Sequence, residues 1–181
     1  MMRKIAFFGK MRAGKDTIAA AFANGALTDT CHLMAFADPL KDLVSIMQSH
    51  LDIDMVKDRE LLQMLGAWGR RKDKLFWVNR SALLPTLDSA GDDENIIVIT
   101  DGRHIAEMKE LIRLGCFCVK VNRPEHLRRA AGADVTCSHE SEREIEQIQD
   151  QWFDFIFDNS QDDMTPELSR LMMAFNKHYE E

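Results

Sequence analysis

Residues 9–17 read Gly-Lys-Met-Arg-Ala-Gly-Lys-Asp-Thr, a glycine, four residues, then a Gly-Lys pair. That spacing suits a chain of phosphates. Glycine lets the backbone curl until successive N–H groups converge on an anion. A helix starting beside Gly14 aims the positive end of its dipole at the same point, and Lys15 adds a mobile charge for the outer phosphates. Gly9, Lys10, Met11, Arg12, Ala13, Gly14, Lys15, Asp16 and Thr17 are therefore the candidate phosphate-binding residues, and Lys15 is also a catalytic candidate. The apolar run 5–8 before the loop and the helical pattern after it argue against a chance match in an ordinary turn.

The residue after the lysine in such loops is usually Ser or Thr, which holds magnesium. Here it is Asp16, and the hydroxyl comes one position later at Thr17. Adenylate kinases show a similar arrangement, Gly-Lys-Gly-Thr, so the departure points to small-molecule kinases and away from motor and switch proteins. Asp16 is the candidate magnesium residue, acting through water.

A second set of charges follows. Asp101 closes the apolar run 96–100, the Walker B position, where a carboxylate orients a magnesium water or accepts from a substrate hydroxyl; capping the next helix is the plainer alternative. Arg103 lies two residues on and Glu107 a helical turn beyond that. Arginine grips phosphate through two parallel hydrogen bonds. Asp38, Lys41, Arg59, Gln63 and Arg70 fall where a helical cover over the acceptor would lie, although each taken alone fits a solvated helix face. Trp77 can stack on a base or fill a core. Arg123, Arg128 and Arg129 come after the fourth strand and suit a lid that brings cations to a transferring phosphoryl group; an exposed helix face is their alternative. Arg128 is the catalytic candidate of the three. The small residues 130–133 can hinge such a lid, and Glu140, Glu142 and Glu144 can hold its arginines away from an empty site. His139 has no partner at metal-ligand spacing, and Ser138 reads as a helix N-cap.

Five strands and the helices between them must position these groups. The strands read as 5–8, 31–36, 96–100, 116–121 and 153–157. Helices read as 15–24, from Asp38 as N-cap to His50, over 55–87, 104–114, within 125–150, and from Thr165 as N-cap to the end. The continuous apolarity of 96–100 fits a parallel strand buried on both faces. The alternation of strands and helices predicts a doubly wound α/β domain, with ligands at the carboxyl ends of the strands. Gly9, Asp38, Asp101 and Arg123 fall at such ends.

The 181 residues suffice for one domain, taken as 1–181 with an acceptor-binding region at about 38–90 and a lid at about 123–143. A net charge of −7 argues against a general nucleic-acid or membrane-surface binder. The first residues are too short an apolar run for a signal peptide or a membrane span. Cys31, Cys116, Cys118 and Cys137 contain no Cys-x-x-Cys pair, so reduced core residues and a cytoplasmic setting are expected, with Cys116 and Cys118 on one strand face.

These blocks, in this order, carry a resemblance. Residues 9–17, 36–41 (Phe-Ala-Asp-Pro-Leu-Lys), 59–66, 76–78 (Phe-Trp-Val), 99–103 with Glu107, and 139–142 (His-Glu-Ser-Glu) are similar to the deoxynucleoside monophosphate kinases of bacteriophages, within the P-loop nucleotide and nucleoside kinase group. The resemblance implies a three-layer P-loop kinase fold: a five-stranded parallel sheet with helices on both faces, a helical acceptor-covering region and a short lid. It implies transfer of the γ-phosphoryl of ATP to a deoxynucleoside monophosphate, with magnesium. By resemblance the loop 9–17 and Arg123 hold ATP, while Asp38, Lys41, Arg59, Gln63, Arg70, Trp77, Asp101, Arg103 and Glu107 face the acceptor. Gly102 replaces a more usual apolar residue and the covering region is short, so base preference stays open. The expected partners are small nucleotides, with a homodimer compatible. Alternatives are a kinase of another small phosphorylated acceptor, such as one like dephospho-coenzyme A, and a nucleotide-binding regulator without turnover. A GTP switch needs Asn-Lys-x-Asp; Asn176-Lys177-His178-Tyr179 lacks the aspartate, and the Asp-x-x-Gly at 88–91 precedes a strand instead of following one.

Overall fold

The computed structural model describes residues 2–26, 30–54, 56, 58–83, 86, 95–133 and 140–180, with Ser141 described in its backbone alone. The expectations placed on 87–94 and on Ser138 and His139, as well as Cys137, lie outside the described residues.

Five strands form one parallel sheet: β1 (Arg3–Phe8), β2 (Thr30–Met34), β3 (Asn95–Gly102), β4 (Phe117–Asn122) and β5 (Phe155–Asp158), in the order β2-β3-β1-β4-β5. The helices are α1 (Lys15–Gly25), α2 (Asp38–His50), α3 (Arg59–Lys72), α4 (Ile105–Arg113), α5 (Glu125–Ala130), α6 (Glu140–Gln147) and α7 (Thr165–Glu180), with 3₁₀ turns at Val78–Arg80 and Asp150–Trp152.

The period of two along each strand makes the three layers. Ile5, Phe7, Ile96, Val98, Phe117 and Val119 pack with Ile18 and Phe22 of α1 and Leu171 and Phe175 of α7. Ala6, Phe8, Ile97, Ile99 and Cys118 face the other way, against Met108 and Leu111 of α4 and Ile145 of α6. Phe22, Phe117 and Phe175 meet edge to face, with centroids 5.1 and 5.7 Å apart. Cys116 and Cys118 fall in the same core and are free thiols, as the strand pattern predicts. β2 lies at a sheet edge and is mostly exposed, which explains why its apolar run is short. No described helix is long and apolar enough to cross a membrane.

Several boundaries differ from the sequence reading: β2 ends at Met34 and not at Phe36, β5 begins at Phe155 and not at Phe153, and Thr165 is the first residue of α7 and not its N-cap. Among the described residues of the helical pattern over 55–87, α3 stops at Lys72, and a 3₁₀ turn follows at Val78–Arg80. The Asp73 side chain accepts from the Leu75 N–H at 2.9 Å and from Asn79 Nδ2 at 3.1 Å, and this local turn competes with the helix. At the start of α2 the N-cap is Ala37, not Asp38. Asp38 is the first helical residue, and its carboxylate turns back to accept from the Ala35 N–H at 2.9 Å.

Candidate functional site

The loop between β1 and α1 is held open from below. Gly14, before the first residue of α1, has φ +96°, a left-handed value that favours glycine. No side chain caps α1, so its first-turn N–H groups remain available to an anion. Arg12 also adopts a left-handed φ of 61°, a cost that a non-glycine residue bears where the backbone must curl. Asn159, just past β5, donates from Nδ2 to the Ala13 carbonyl at 2.8 Å. A Cβ on Gly14 would stand 2.5 Å from that same amide nitrogen. Asn159 escaped the sequence reading, although a polar group just past the end of a parallel strand is the same signal that picked out Asp101.

Lys15 is buried beneath the loop and donates to the carbonyls of Gly9 (2.8 Å) and Lys10 (3.1 Å). Burial, reinforced by the nearby Arg103 charge, lowers its pKa to about 7. Asp16, Asp101 and Glu142 oppose that shift, so all three carboxylates act on the same ammonium. Asp16 and Thr17 stand exposed at the head of α1.

Asp101 ties the sheet to the acceptor side. Its oxygens accept from the N–H groups of Phe36 (2.8 Å) and Ala37 (3.0 Å), which fixes the entry to α2. Burial raises its pKa, against the pull of those two hydrogen bonds and of Lys41 and Arg103. Gly102 follows because the Phe8 ring lies too close for a side chain: a Cβ there would come 2.8 Å from the ring. The backbone N–H groups of Arg103 and His104 both donate to Glu107 Oε2 at 2.9 Å. Glu107 is nearly fully buried beside Asp101, and burial raises its pKa to about 7. His104 is lowered to about 4 by burial and then by Arg70. It is therefore neutral at pH 7.

The structure thus brings together Lys15, Asp16, Lys41, Arg70, Asp101, Arg103 and Glu107, which the charge interactions among them connect. Lys41 pairs with Asp38 at 2.7 Å. Burial works to lower the pKa of Lys41, but that bond and the surrounding carboxylates raise it overall. Arg59 and Gln63 are exposed on α3, on the helix face that carries Gly66 and Arg70. Trp77 lies in the core: it is 7 % exposed and its indole N–H donates to the Gly66 carbonyl at 3.0 Å.

The arginines after β4 divide by role. Arg128 is buried, not on an exposed helix face, and its Nη1 lies 3.5 Å from the Met11 carbonyl. Arg123 Nη1 donates to the Arg12 carbonyl at 3.3 Å. Arg129 turns outward to Glu125, with Nε 2.9 Å from its carboxylate. A cavity of about 500 Å³ opens beside the loop, lined by Gly9, Lys10, Lys120, Arg123, Arg128 and Asp158 among others.

The glutamates of α6 do not hold Arg123, Arg128 or Arg129 away from the loop. Instead Glu142 accepts from the Met11 N–H at 2.8 Å and lies 3.4 Å from Arg103 Nη1. Glu144 accepts from the Ile105 N–H at 3.0 Å, Glu140 lies 4.0 Å from Arg70 Nε, and Glu146 meets Lys10. The reason is packing. Ile145 and Ile148 enter the core against α4, and this turns the acidic positions of α6 toward the loop and the head of α4.

No protein-family model matches the chain, and no curated protein matches it. Solved structures do resemble it. A sugar kinase from Janibacter sp. HTCC2649 is 13% identical, over 97% of this chain and 95% of that one, with a TM-score of 0.56. A gluconokinase from Sinorhizobium meliloti 1021 is 13% identical over 97% and 92%, with a TM-score of 0.53. A shikimate kinase from Aquifex aeolicus vf5 is 11% identical over 97% and 98%, with a TM-score of 0.54. At these identities the likeness is one of architecture, and the chain has the fold of the P-loop kinases.

Proposed function

We propose that the protein is a kinase that moves the γ-phosphoryl group of ATP onto a deoxynucleoside monophosphate, giving a deoxynucleoside diphosphate and ADP. The observation that carries this reading is the meeting of Lys15 with Arg103 and Asp101 at the carboxyl ends of β1 and β3, with Arg70 of α3 acting on Glu107 beside them. Lys15 and the loop supply charge for the β- and γ-phosphates. Arg103 and Arg70 supply the forked donors that suit a second phosphate, that of the acceptor. An acceptor phosphate oxygen then forms a bond to the γ-phosphorus, the bond from that phosphorus to the β–γ bridging oxygen breaks, and ADP leaves with the electron pair. An acceptor phosphate is already anionic, so no base is required. Glu107, held near pKa 7 by burial, retains a proton for part of the time at neutral pH and can donate it in a hydrogen bond to the acceptor.

Magnesium fits this site through water. The carboxylates of Asp16 and Asp101 both act on Lys15, and Thr17 stands beside Asp16. No group of three His, Cys, Asp or Glu among the described residues offers a direct cage. Such an ion would be held by these residues through water and would neutralise charge on the triphosphate.

A second reading keeps the chemistry and changes the acceptor to another small phosphorylated compound. The engagement of Trp77 with Gly66 favours it, because that indole is then part of the core and not a platform for a base. ADP release measured with ATP, magnesium and a panel of deoxynucleoside and ribonucleoside monophosphates, dephospho-coenzyme A, gluconate and shikimate separates the readings. Release that depends on a deoxynucleoside monophosphate is expected. Release independent of every acceptor, or dependent on gluconate or shikimate, contradicts the proposal.

A further inference from the structure

Glu142 has no place in the transfer chemistry above, yet it sits where phosphate oxygens are expected. One of its donors is the Met11 N–H, a backbone group of the loop, at 2.8 Å. The other is Arg103 Nη1 at 3.4 Å, from the arginine assigned to the acceptor. Its side chain is 15 % exposed, and its charge reaches Lys15. The neighbouring glutamates reinforce the docking of α6, through Ile105, Arg70 and Lys10. A carboxylate with these partners mimics one phosphoryl group and neutralises the cations around the loop.

The match is incomplete. Nε of Arg70, Arg123 and Arg128 are each buried with no hydrogen-bond partner among the described residues. Arg128 is only 6 % exposed, so its unmet donor carries a real desolvation cost. A triphosphate brings more oxygens and more charge than one carboxylate, and can satisfy donors that Glu142 leaves unmet.

We propose that Glu142 is a built-in competitor for the phosphates of the donor nucleotide, and that its departure from the Met11 N–H and Arg103 is coupled to nucleotide binding. This rests on the reading of residues 9–17 as the ATP loop. The docked form of α6 keeps the loop neutralised and closed to small anions, and the apparent affinity for nucleotide is the intrinsic affinity reduced by the fraction of molecules with Glu142 undocked.

The test is calorimetric titration of the wild type, Glu142→Gln and Glu142→Ala with ATP and with inorganic tripolyphosphate, a probe without a base. Both variants should bind both probes tighter, by about tenfold if some tenth of wild-type molecules are undocked at rest. In the wild type, hydrogen exchange of amides 140–147 should speed up when tripolyphosphate is added, a readout that needs no variant. Unchanged or weaker binding in the variants, or unchanged exchange in the wild type under saturating tripolyphosphate, overturns the competitor and leaves the ATP loop standing. Absence of binding of either probe to any of the three proteins overturns the loop reading and the competitor with it.

Discussion

The Lys15 ammonium and the Gly9 carbonyl lie 2.8 Å apart, so the loop's own backbone holds the lysine before any phosphate arrives. Burial lowers this group to about pKa 7, and Arg103 adds to the effect. A bound triphosphate favours the charged form and raises the pKa again. Nucleotide binding should therefore take up protons above pH 7 and weaken as the pH rises through 7 toward the pKa of the bound state. Titrations with ATP at pH 8 in buffers of different ionisation enthalpy check this. A heat of binding independent of the buffer contradicts it.

Arg103 should hold the acceptor monophosphate. Arg103→Ala is expected to raise KM for the mononucleotide by about tenfold or more, the scale of a lost hydrogen bond to a charged group, with a smaller effect on ATP affinity. Loss of ATP affinity with acceptor affinity intact would mean that the two sites are reversed.

Glu107 exchanges stability for a proton kept near neutrality. Its pKa rises from 4.5 to about 7 on burial. The folded protein binds this proton more tightly than the unfolded chain, so this contribution to stability is full below pH 4.5 and is lost as the pH rises to about 7. The loss is roughly 3 kcal/mol. Glu107→Gln keeps an oxygen for the Arg103 and His104 N–H groups. It should therefore gain stability over the wild type at pH 8 and little at pH 4.5, while its turnover falls. Comparing wild type and variant isolates this residue, because His104, lowered to about 4, acts in the opposite sense over the overlapping range. Urea denaturation at the two pH values decides the matter, and an equal difference at both contradicts the assignment.

Arg128 and Arg129 are adjacent and should behave differently. Arg128 is buried against the Met11 carbonyl, while Arg129 pairs with Glu125 at the surface. Arg128→Ala should lower kcat on the order of a hundredfold, the scale of a lost charge-stabilising donor, with a smaller loss of ATP affinity. Arg129→Ala should leave both near wild type, since exposed i,i+4 pairs contribute only about 0.3–0.5 kcal/mol. Steady-state kinetics on both variants test the division, and equal effects would remove it.

The parts of this architecture that the sequence declares are those whose causes are local. The continuous apolar runs of β1 and β3 and the glycine spacing of 9–17 lead to the sheet centre and the loop, because burial on both faces and a curled backbone each leave a compositional trace. Asp101 and Arg103 are legible for the same reason, as polar residues closing an apolar strand. Trp77 could not be placed, because its spacing fits both a core and a binding face, and the deciding contact is with the Gly66 carbonyl eleven residues away. The helical pattern runs on past the end of α3 because the turn at Asp73 is fixed by a side chain, not by an apolar period. Glu142 and Asn159 reach the loop across 131 and 146 residues, through the packing of α6 and the end of β5. Contacts of that range leave no periodic signal.

Following label from γ-³²P ATP, with magnesium, in the presence of each deoxynucleoside monophosphate, using the wild type and Lys15→Met, tests the proposed phosphoryl transfer at the loop that holds Lys15. Label is expected in a deoxynucleoside diphosphate with the wild type, with transfer slower by about two orders of magnitude or more in a folded Lys15→Met protein. Label that stays in ATP or appears only as inorganic phosphate, or a Lys15→Met variant that transfers at the wild-type rate, would contradict it.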